Sequence, residues 1–600
     1  MLELYLSELR RFRRSAVFAA LGHLVLLFLI LRFKDFMQAH ANTQSMLLAI
    51  YLLLSFGFGL YQFGSYRQPN RWAWLMHRPL PAWKIATAIC GASATLILGV
   101  IGLPALVALG GTQLLTTRVA DLHFYAVALH ATLFAIAAWL CAGYVMLNRS
   151  KLAASIIVLP FLLMFHISSV YKLLGFDVLC LVLLLAMVTA AMKPNRHAPP
   201  EGTAAVLSIA VPLHLASYLV VLWVGNLAFQ YATIIADTHP LNTETPPAGG
   251  YTEAVRSTSA DSMLAGLAAS THPQAGAWRA LAENTRLRYV YLDHYPVRNQ
   301  VAPMSQTMFE DPENKLRWTY SQDAGAFIGR SIHTGERKAS MPVPSLPHLK
   351  QLDAQTILAV FPHHIDRYDP STKAWRPMLR VREDEILLGA PKTTDAEREY
   401  IVTSKRVIIM EGSEVRREVA SVPLPGPAMD LSRVDVLPVQ GGTLVSFAFG
   451  KLMIDGFAGG DQIVMHLDAA GQATEVARRA LTHDFPLLFE HKDWWLSPVL
   501  YAVKSLPAQA LGDNAVFPLN PMMLPRPWQA WAAAAATSLL ATLLGWYWLR
   551  RTGASPFRRK AWLVACLAFG PSAFLCLAVM EARKPRLAAA VLIQPAASAA

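Results

Sequence analysis

Five histidines lie in or beside apolar stretches of this 600-residue chain, where imidazole is the side chain best suited to ligand binding or proton transfer. They are His23, His123, His130, His166 and His214. His123 and His130 are seven residues apart, which places them on one face of a helix. There they could ligate haem or a metal, or relay protons. Because no ligand spacing recurs, the favoured interpretation is hydrogen bonding between helices or a position at the membrane interface.

Known catalytic and nucleotide-binding motifs are absent from the sequence. It contains no GxxxxGK[ST], HExxH, GxSxG or paired CxxC pattern, so the chain has no P-loop for ATP. His363, His364 and Asp366 lie on a strand-like stretch, where adjacent residues point to opposite faces and make a poor metal site. We therefore expect no enzyme activity and no catalytic, cofactor-binding or metal-ligating residue.

The elements around these residues are long and apolar. Hydrophobic residues make up 54% of the chain and charged residues 16%, against roughly 25% charged residues in average globular chains. Asp177 falls near the start of its predicted helix, so no span has an acidic residue near its centre, which argues against an ion-coupled carrier. A span needs about 20 mostly apolar residues, and we predict nine: 16–32, 46–64, 85–108, 122–147, 152–169, 174–192, 204–228, 529–549 and 561–580.

Lysine and arginine are concentrated in the apolar ends of the chain. Residues 1–228 and 528–600 together contain 24 Lys or Arg and 7 Asp or Glu, whereas residues 229–527 contain 29 and 33, of totals 53 and 40. The basic residues of the ends cluster in alternate short loops, which by the positive-inside rule face the cytoplasm. The net charge of +13 therefore reflects membrane topology, and no nucleic-acid partner is expected. One cluster falls on the opposite side if the ninth span crosses fully: Arg583, Lys584 and Arg586.

This topology predicts a multi-pass protein of the bacterial inner (plasma) membrane, embedded in the lipid bilayer. The N-terminus lies in the cytoplasm, and residues 229–527, after seven spans, lie in the periplasm. All five cysteines fall in predicted spans, so the periplasmic region has no internal disulfide. The predicted divisions are an interfacial amphipathic helix (1–15), a transmembrane domain of seven spans (16–228), a connector (229–285), an extracytoplasmic β domain (286–527), and two C-terminal spans with a tail (528–600).

The extracytoplasmic domain has the pattern of an all-β fold. Short strand-like runs begin near residue 286, and four of them end in similar turns, at 333–336, 369–372, 411–414 and 468–471. Strand pairs at intervals of roughly 40 residues favour the blades of a β-propeller, and another antiparallel architecture such as a sandwich is the alternative. The predicted fold class is a polytopic α-helical membrane protein of about nine spans with this large inserted domain.

The loop between the second and third predicted spans, residues 65–84, is long and has predicted secondary structure, whereas the other spans are joined tightly. The sequence predicts a short helix at 72–76, which the following prolines bring to an end. A structured cytoplasmic loop indicates a protein partner, and the alternative is a membrane-surface anchor built on Trp72, Trp74 and Trp83. The candidate functional residues of this loop are Arg71, Trp74, His77, Arg78, Pro79 and Pro81.

Residues 1–200 resemble the permeases of exporter-type ATP-binding-cassette (ABC) transporters. Those proteins have an amphipathic N-terminal helix, six spans, and a loop after the second span of the form LlxxPlsrxxixxaK, to which Trp74 to Pro81 and Ile85 are similar. In that family this loop docks on the ATPase subunit. The resemblance implies a separate ABC ATPase as partner, coupling through residues 65–84, and a homodimer or pairing with a second permease. The chain departs from the family after the sixth span, where it adds a seventh span, the outside domain and two more spans.

A function of a different class also fits the sequence. The chain could be a membrane-anchored extracytoplasmic β-propeller that serves as a binding or assembly scaffold without transport activity. A neighbouring ATPase gene would favour transport. Capture of a specific periplasmic protein or ligand by residues 286–520 would favour the scaffold.

Overall fold

The computed structural model divides the protein into a bundle of apolar helices, built from both ends of the chain, and an antiparallel β region inserted between them. The structure describes residues 1–33, 35–38, 41–164, 168–195, 200, 202–239, 248–285, 288–290, 295–303, 306–352, 356–393, 398–411, 417–450, 460–484, 486–511 and 526–581.

The helices before the β region are α1 (Leu2–Phe33), α2 (Ala41–Tyr66), α3 (Pro69–Met76), α4 (Ala82–Ile97), α5 (Leu103–Leu115), α6 (Leu122–Leu147), α7 (Val170–Ala191), α8 (Thr203–Ile235), α9 (Tyr251–Arg256), α10 (Ser259–Leu267) and α11 (Ala275–Asn284). A π-helical turn, Leu98–Gly102, joins α4 to α5, and a 3₁₀ helix, Lys151–Leu163, follows α6. After the β region come α12 (Leu487–Glu490), α13 (Lys492–Leu496), α14 (Pro498–Leu511), α15 (Trp528–Leu549), α16 (Pro556–Phe569) and α17 (Pro571–Met580).

Within the described part of the chain, seven helices are long and apolar enough to cross a membrane: α1, α2, the joined α4 and α5, α6, α7, α8 and α15. These seven match seven of the nine predicted spans, so the chain has the elements of a multi-pass membrane protein. The other two predicted spans, 152–169 and 561–580, do not form single long α-helices.

The predicted boundary between an interfacial helix (1–15) and a first span (16–32) is not a helix end. α1 continues from Leu2 to Phe33 without a break. Residues 2–33 contain no proline and a single glycine, Gly22, so nothing interrupts the backbone hydrogen bonds. The arginines of residues 10–14 and the apolar run that follows them therefore belong to one continuous helix.

The predicted span 152–169 is a 3₁₀ helix of 13 residues, Lys151–Leu163. Such helices rarely exceed four residues because their hydrogen bonds are poorer than those of α-helices. Pro160 lies inside it and lacks the N–H that a helix interior uses. At a rise of about 2.0 Å per residue this helix is roughly 26 Å long, which approaches the roughly 30 Å thickness of a bilayer core despite its few residues.

The predicted span 561–580 is a hairpin of two short helices, α16 and α17. Gly570 between them has φ of 65°, which favours glycine, and Pro571 follows. After the turn the chain returns toward its start, since Glu581 accepts a hydrogen bond from Trp562 (3.1 Å) and pairs with Arg558 of α16. The sequence left open whether the ninth predicted span crosses fully, and in the structure it is two helices, of 14 and 10 residues, that are each shorter than a full span. The basic cluster that follows Glu581 lies outside the described residues.

In its described residues the β region contains four antiparallel sheets, each built from four consecutive strands, with one additional strand at the edge of the last. The first contains β2 (Met308–Asp311), β3 (Leu316–Ser321), β4 (Ala326–Ser331) and β5 (Arg337–Pro342); the second β6 (His348–Gln351), β7 (Ile357–Val360), β8 (His364–Asp369) and β9 (Ala374–Arg380). The third contains β10 (Lys392–Thr393), β11 (Arg398–Val402), β12 (Arg406–Glu411) and β13 (Arg417–Pro423). The fourth contains β14 (Leu431–Val439), β15 (Gly442–Phe449), β16 (Gly460–Asp468) and β17 (Ala473–Leu481), with β1 (Arg288–Val290) beside β14.

Neighbouring sheets share apolar layers in chain order. Phe309 and Trp318 of the first sheet pack with Tyr368 of the second, and Ile401 of the third sheet packs with Val360 of the second. The third and fourth sheets share a further layer, and α10 and α11 cover the fourth. The described strands form no closed barrel or propeller.

The first sheet is joined to the helical bundle by buried hydrogen bonds. The carboxylate of Asp121, directly before α6, accepts from the Ser321 hydroxyl (2.7 Å) and from the backbone N–H of Gln322 (2.6 Å). Gln38, between α1 and α2, donates to the Thr307 hydroxyl (2.6 Å). Burial raises the pKa of Asp121 although these donors oppose the shift. A buried polar group of this kind is costly unless it is bonded, so the junction has a defined geometry.

A buried ion pair gives the third sheet a testable pH dependence. Burial alone would raise the pKa of the Glu385 carboxyl, but hydrogen bonds from Arg406 and Thr403 and the Arg406 charge hold that pKa below 4.5. Arg406 Nε lies 2.9 Å from Glu385 Oε1, and the glutamate side chain is 1% exposed. A lowered carboxyl pKa stabilises the fold above the unfolded value, and this stability is lost as the pH falls through the folded value.

We expect Glu385→Gln to lower the free energy of unfolding of the β region by about 3 kcal/mol near neutral pH, because Arg406 loses its buried counterion. The difference from the parent should begin to shrink as the pH falls below about 4.5, the ordinary glutamate pKa, and should vanish only below the lowered pKa of the folded parent, where its carboxyl also becomes neutral. Protease resistance of the β region, followed against pH, would measure this. Glu475→Gln removes one of the two exposed partners of Arg478 and should change stability little. Equal losses in the two variants would contradict the expectation.

Candidate functional site

The loop between α2 and α4 contains a short helix whose limits follow from its prolines. α3 begins with Pro69 at its first position, where the missing N–H has no partner to lose. It ends at Met76, with the His77 N–H bonded to the Ala73 carbonyl. Pro81 then precedes α4 in an extended conformation. The predicted helix at 72–76 is therefore confirmed, with three more residues at its start.

One face of α3 anchors it to the bundle. Trp72 is 6% exposed and Leu75 is 0% exposed, and both belong to the main apolar core. The indole N–H of Trp72 donates to the carbonyl of Pro194, after α7 (3.0 Å). Arg71 donates to the carbonyl of Ser65 at the end of α2. α3 is hydrogen bonded both to α2 and to the chain after α7. A displacement of α3 would therefore be transmitted to several helices.

The opposite face of α3 is exposed and cationic. The Trp74 side chain is 60% exposed, and the Arg78 guanidinium lies 4.1 Å from the centre of its ring. Such a cation–π contact contributes about 0.5–1 kcal/mol at an exposed site. Residues 65–84 contain four Lys or Arg and no Asp or Glu. The surface presented is a rigid aromatic and cationic tip, which the exposed His77, Pro79 and Pro81 complete.

The predicted cytoplasmic loops meet at one end of the bundle, which we call the basic end. Arg11 of α1 donates to the hydroxyl of Ser65 (2.7 Å). The loop before α8 lies at the same end. Its Pro194 carbonyl accepts from Trp72 of α3 (3.0 Å), and its Pro200 carbonyl accepts from Arg558 of α16 (3.2 Å). The first β sheet covers the opposite end, which we call the β end. Arg196 and the basic residues after 581 lie outside the described residues.

A buried polar network lies directly behind α3. The amide nitrogen of Gln62 donates to the carboxylate of Glu8 (2.9 Å). The amide oxygen of Gln62 accepts from the hydroxyl of Ser93 (2.8 Å) and from the indole of Trp139 (3.0 Å). Tyr66 also donates to Glu8. The network therefore joins α1, α2, α4 and α6 at the basic end.

Sequence reasoning did not select Glu8 or Gln62. Glu8 lies in a helix that was predicted to rest on the membrane surface, where a carboxylate would be solvated, yet it is 3% exposed. The sequence does contain one indication of this network, because Gln62 is an amide near the end of an apolar run. Buried amides and carboxylates require partners, so such a residue predicts a polar contact between helices.

The expected hydrogen bonding between helices is confirmed for two of the histidines. His23 of α1 bonds the carbonyl of Val100 and the hydroxyl of Tyr51, each at 2.8 Å. His130 of α6 bonds the carboxylate of Asp177 of α7 at 2.8 Å. α7 begins four residues earlier than predicted, so Asp177 lies two turns inside the helix and is buried. The expectation that this acid lies near a helix start was wrong.

The remaining histidines do not converge on one site. His214 bonds the carbonyl of Ala210 in its own helix (2.6 Å). His123 lies in the first turn of α6, at the β end, and His166 lies outside the described residues. Among the described residues no group of three or more His, Cys, Asp or Glu is placed to hold a metal ion.

No protein-family model and no curated protein matches this chain. Solved structures with some likeness include the dihydro-heme d1 dehydrogenase NirN in complex with DHE (14% identity, 34% of this chain and 46% of that chain, TM-score 0.21). Others are Kuenenia stuttgartiensis hydrazine synthase (12%, 30% and 55%, 0.17) and the S. cerevisiae core factor (10%, 29% and 38%, 0.17). The aligned part spans only about half or less of each of those chains, and TM-scores this low carry no argument.

Proposed function

We propose that the chain is the membrane-spanning permease subunit of a bacterial ABC-type transporter, working with a separate ATPase. The observation that carries this proposal is α3, a short helix fixed by Trp72 and Leu75 that presents Trp74 and Arg78 outward. Trp74, which is exposed, and Arg78 form a cationic tip that can bind an acidic partner surface. The resemblance of residues 1–200 to exporter-type permeases points to the same role.

Hydrogen bonds through the bundle could transmit a movement of α3 to the β domain. The Gln62 network links α2 to α6 through Trp139. Asp121, at the other end of α6, is bonded to the first β sheet. Closure of the ATPase subunits would therefore shift α3, α2 and α6 together and reach the β domain. Two copies, or one copy with a second permease, would form the pathway in the bilayer.

We further propose that the β domain is an open, propeller-like array on the periplasmic side. Its sheets have four consecutive antiparallel strands, and β1 from the start of the region pairs with β14 in the last sheet. Three predicted turns lie between the third and fourth strands of their sheets, at 333–336, 369–372 and 468–471. In the fourth predicted turn, 411–414, residues 412–414 lie outside the described residues.

Affinity purification of the full chain from its native membrane tests the proposal. We expect a P-loop ATPase to co-purify, and the double variant Trp74→Ser/Arg78→Ser, which keeps the buried Trp72 and Leu75, to abolish that association without loss of the permease from the membrane. If no such ATPase is bound and the β domain alone retains a periplasmic protein, the chain is the scaffold described as the alternative.

Topology gives a second test. Alkaline phosphatase fused after residue 300 should be active, because this enzyme needs an oxidising compartment, and fusions after residues 75 and 555 should be inactive. A fusion after residue 600 should also be inactive, since Glu581 returns to the basic end. An active fusion at residue 600 would show a full last crossing, and an inactive fusion at residue 300 would overturn the orientation.

A further inference from the structure

The short helices that follow the β region, α12 to α14, pack into the helical bundle. The backbone carbonyl of Asp493 in α13 accepts a hydrogen bond from the Tyr218 hydroxyl of α8 (2.6 Å). α8 begins at Thr203, next to the basic end, and Tyr218 is fifteen residues further along it. At 1.5 Å per residue this is about 22 Å from the helix start. The contact therefore lies deep within the roughly 30 Å of a bilayer core.

Two further contacts place α13 at the same depth. The Trp495 carbonyl oxygen lies 3.3 Å from the Thr537 hydroxyl. Thr537 is the tenth of the 22 residues of α15, so it is about 14 Å from the start of that helix and about 18 Å from its end. At Gly570, the turn between α16 and α17, an added Cβ would lie 2.7 Å from the Leu496 carbonyl oxygen. Residues 493–496 therefore lie near the middle of the bundle.

The chain enters and leaves this depth at the β end. On the way in, Phe489 of α12 stacks on Phe229 near the β end of α8, with ring centres 3.6 Å apart. On the way out, Arg526 donates to the Tyr501 hydroxyl of α14 (3.3 Å). Arg526 directly precedes α15, whose last turn lies at the basic end beside Glu581, so α15 begins at the opposite end. The chain therefore returns to the β end without crossing the bundle.

An ion pair joins the two arms of this segment. Asp493 of α13 pairs with Lys504 of α14. Charged groups inside a bilayer are costly and are found in pairs. The pair holds α13 against α14 and leaves the two groups with no net charge.

α14 has one face on the bundle and one exposed apolar face. Leu500 is 5% exposed and belongs to the main apolar core, and the helix packs against α7, α8 and α16. Because α16 extends only from the basic end to the turn at Gly570, this contact keeps α14 at bilayer depth. Val499, Val503 and Leu506 are 44%, 42% and 58% exposed, and their spacing of four and three residues places them on one side of the helix.

We propose that residues 487–511 form a re-entrant membrane segment whose exposed α14 face contacts lipid acyl chains. It enters from the β end, reaches the middle of the bilayer at residues 493–497 and meets the α16–α17 hairpin, which comes from the basic end. Non-helical backbone at this depth must be covered by protein, and Ser497, extended between α13 and α14, is 1% exposed. The segment therefore belongs to the transmembrane domain, although the sequence analysis assigns it to the extracytoplasmic domain.

The test uses the full chain in lipid vesicles, with one exposed residue at a time replaced by cysteine and spin-labelled. Val499→Cys and Val503→Cys probe α14. Leu539→Cys, two residues after Thr537 in α15, is the lipid-exposed reference, and Val419→Cys in β13 is the water-exposed reference; these two residues are 57% and 45% exposed. The five native cysteines are buried, so the parent chain should take up no label.

Spin relaxation by oxygen, which concentrates in hydrocarbon, is compared with relaxation by a polar nickel chelate. We expect the oxygen-to-nickel ratio at both α14 sites to match Leu539→Cys and to exceed Val419→Cys about tenfold or more, because polar groups are excluded from hydrocarbon. A ratio like that of Val419→Cys would place α14 in water and overturn the proposal. Weak relaxation by both reagents would show that protein, such as a second copy of the chain, covers this face, and would overturn the lipid contact.

Discussion

Arg78→Glu is expected to abolish the transporter-stimulated hydrolysis of ATP while leaving the amount of the protein in the membrane unchanged. Arg78 is half-buried against Trp74 on the exposed face of α3, where the proposed ATPase docks. Inverting its charge turns an attraction to a carboxylate into a repulsion. Breaking a partly buried pair across an interface typically costs about 2–5 kcal/mol, which weakens association by one to several orders of magnitude. Hydrolysis by the reconstituted complex, measured against subunit concentration, gives the result.

Two control variants test whether the loss of hydrolysis depends on the charge at position 78. Arg78→Lys keeps the charge and should keep most of the activity, although it loses the planar guanidinium that stacks on Trp74. Lys172→Glu makes the same charge inversion at an exposed position of α7 near the β end and should hydrolyse ATP like the parent. If Arg78→Glu also behaves like the parent, α3 is a membrane-surface anchor and the coupling role is lost.

Gly59→Val should prevent the normal packing of the bundle. A Cβ atom at Gly59 would lie 2.6 Å from the Cβ of Ala142 and 2.8 Å from the carbonyl oxygen of Trp139. One of these contacts is to backbone, so α2 and α6 would have to separate. Overpacking typically costs about 1–3 kcal/mol and more where backbone must move, so we expect a loss of at least about 3 kcal/mol. The separation would also stretch the Gln62–Trp139 hydrogen bond.

The same helix supplies a matched control for this substitution. Gly57 is two residues away in α2, and a Cβ built there has nothing within 4 Å. Gly57→Val adds the same side chain and should leave stability unchanged or raise it slightly. Melting of the two variants in the same detergent, with the amount inserted in the membrane, measures the difference. Equal melting temperatures would show that the close approach of α2 and α6 is not required.

Sequence periodicity and composition identified the long apolar helices well. α6 was predicted at 122–147 and has those limits, because a span is specified by about 20 consecutive apolar residues and by the polar residues that flank it. The strands and their turns followed for a similar reason, since Gly and Asp turns are local signals. The prolines around α3 likewise predicted its position and its end.

Tertiary contacts decided what local pattern could not. The last apolar stretch, 561–580, is long enough to cross, but the contacts of Glu581 with Trp562 and Arg558 return it to the basic end. A sequence pattern assigns the carboxyl groups of Glu8 and Asp177 to water or to a helix end, and hydrogen bonds to Gln62 and His130 allow them to be buried. Burial of a polar group depends on a partner far away in the chain. For that reason the network behind α3 and the His130–Asp177 hydrogen bond were visible only in the packed structure.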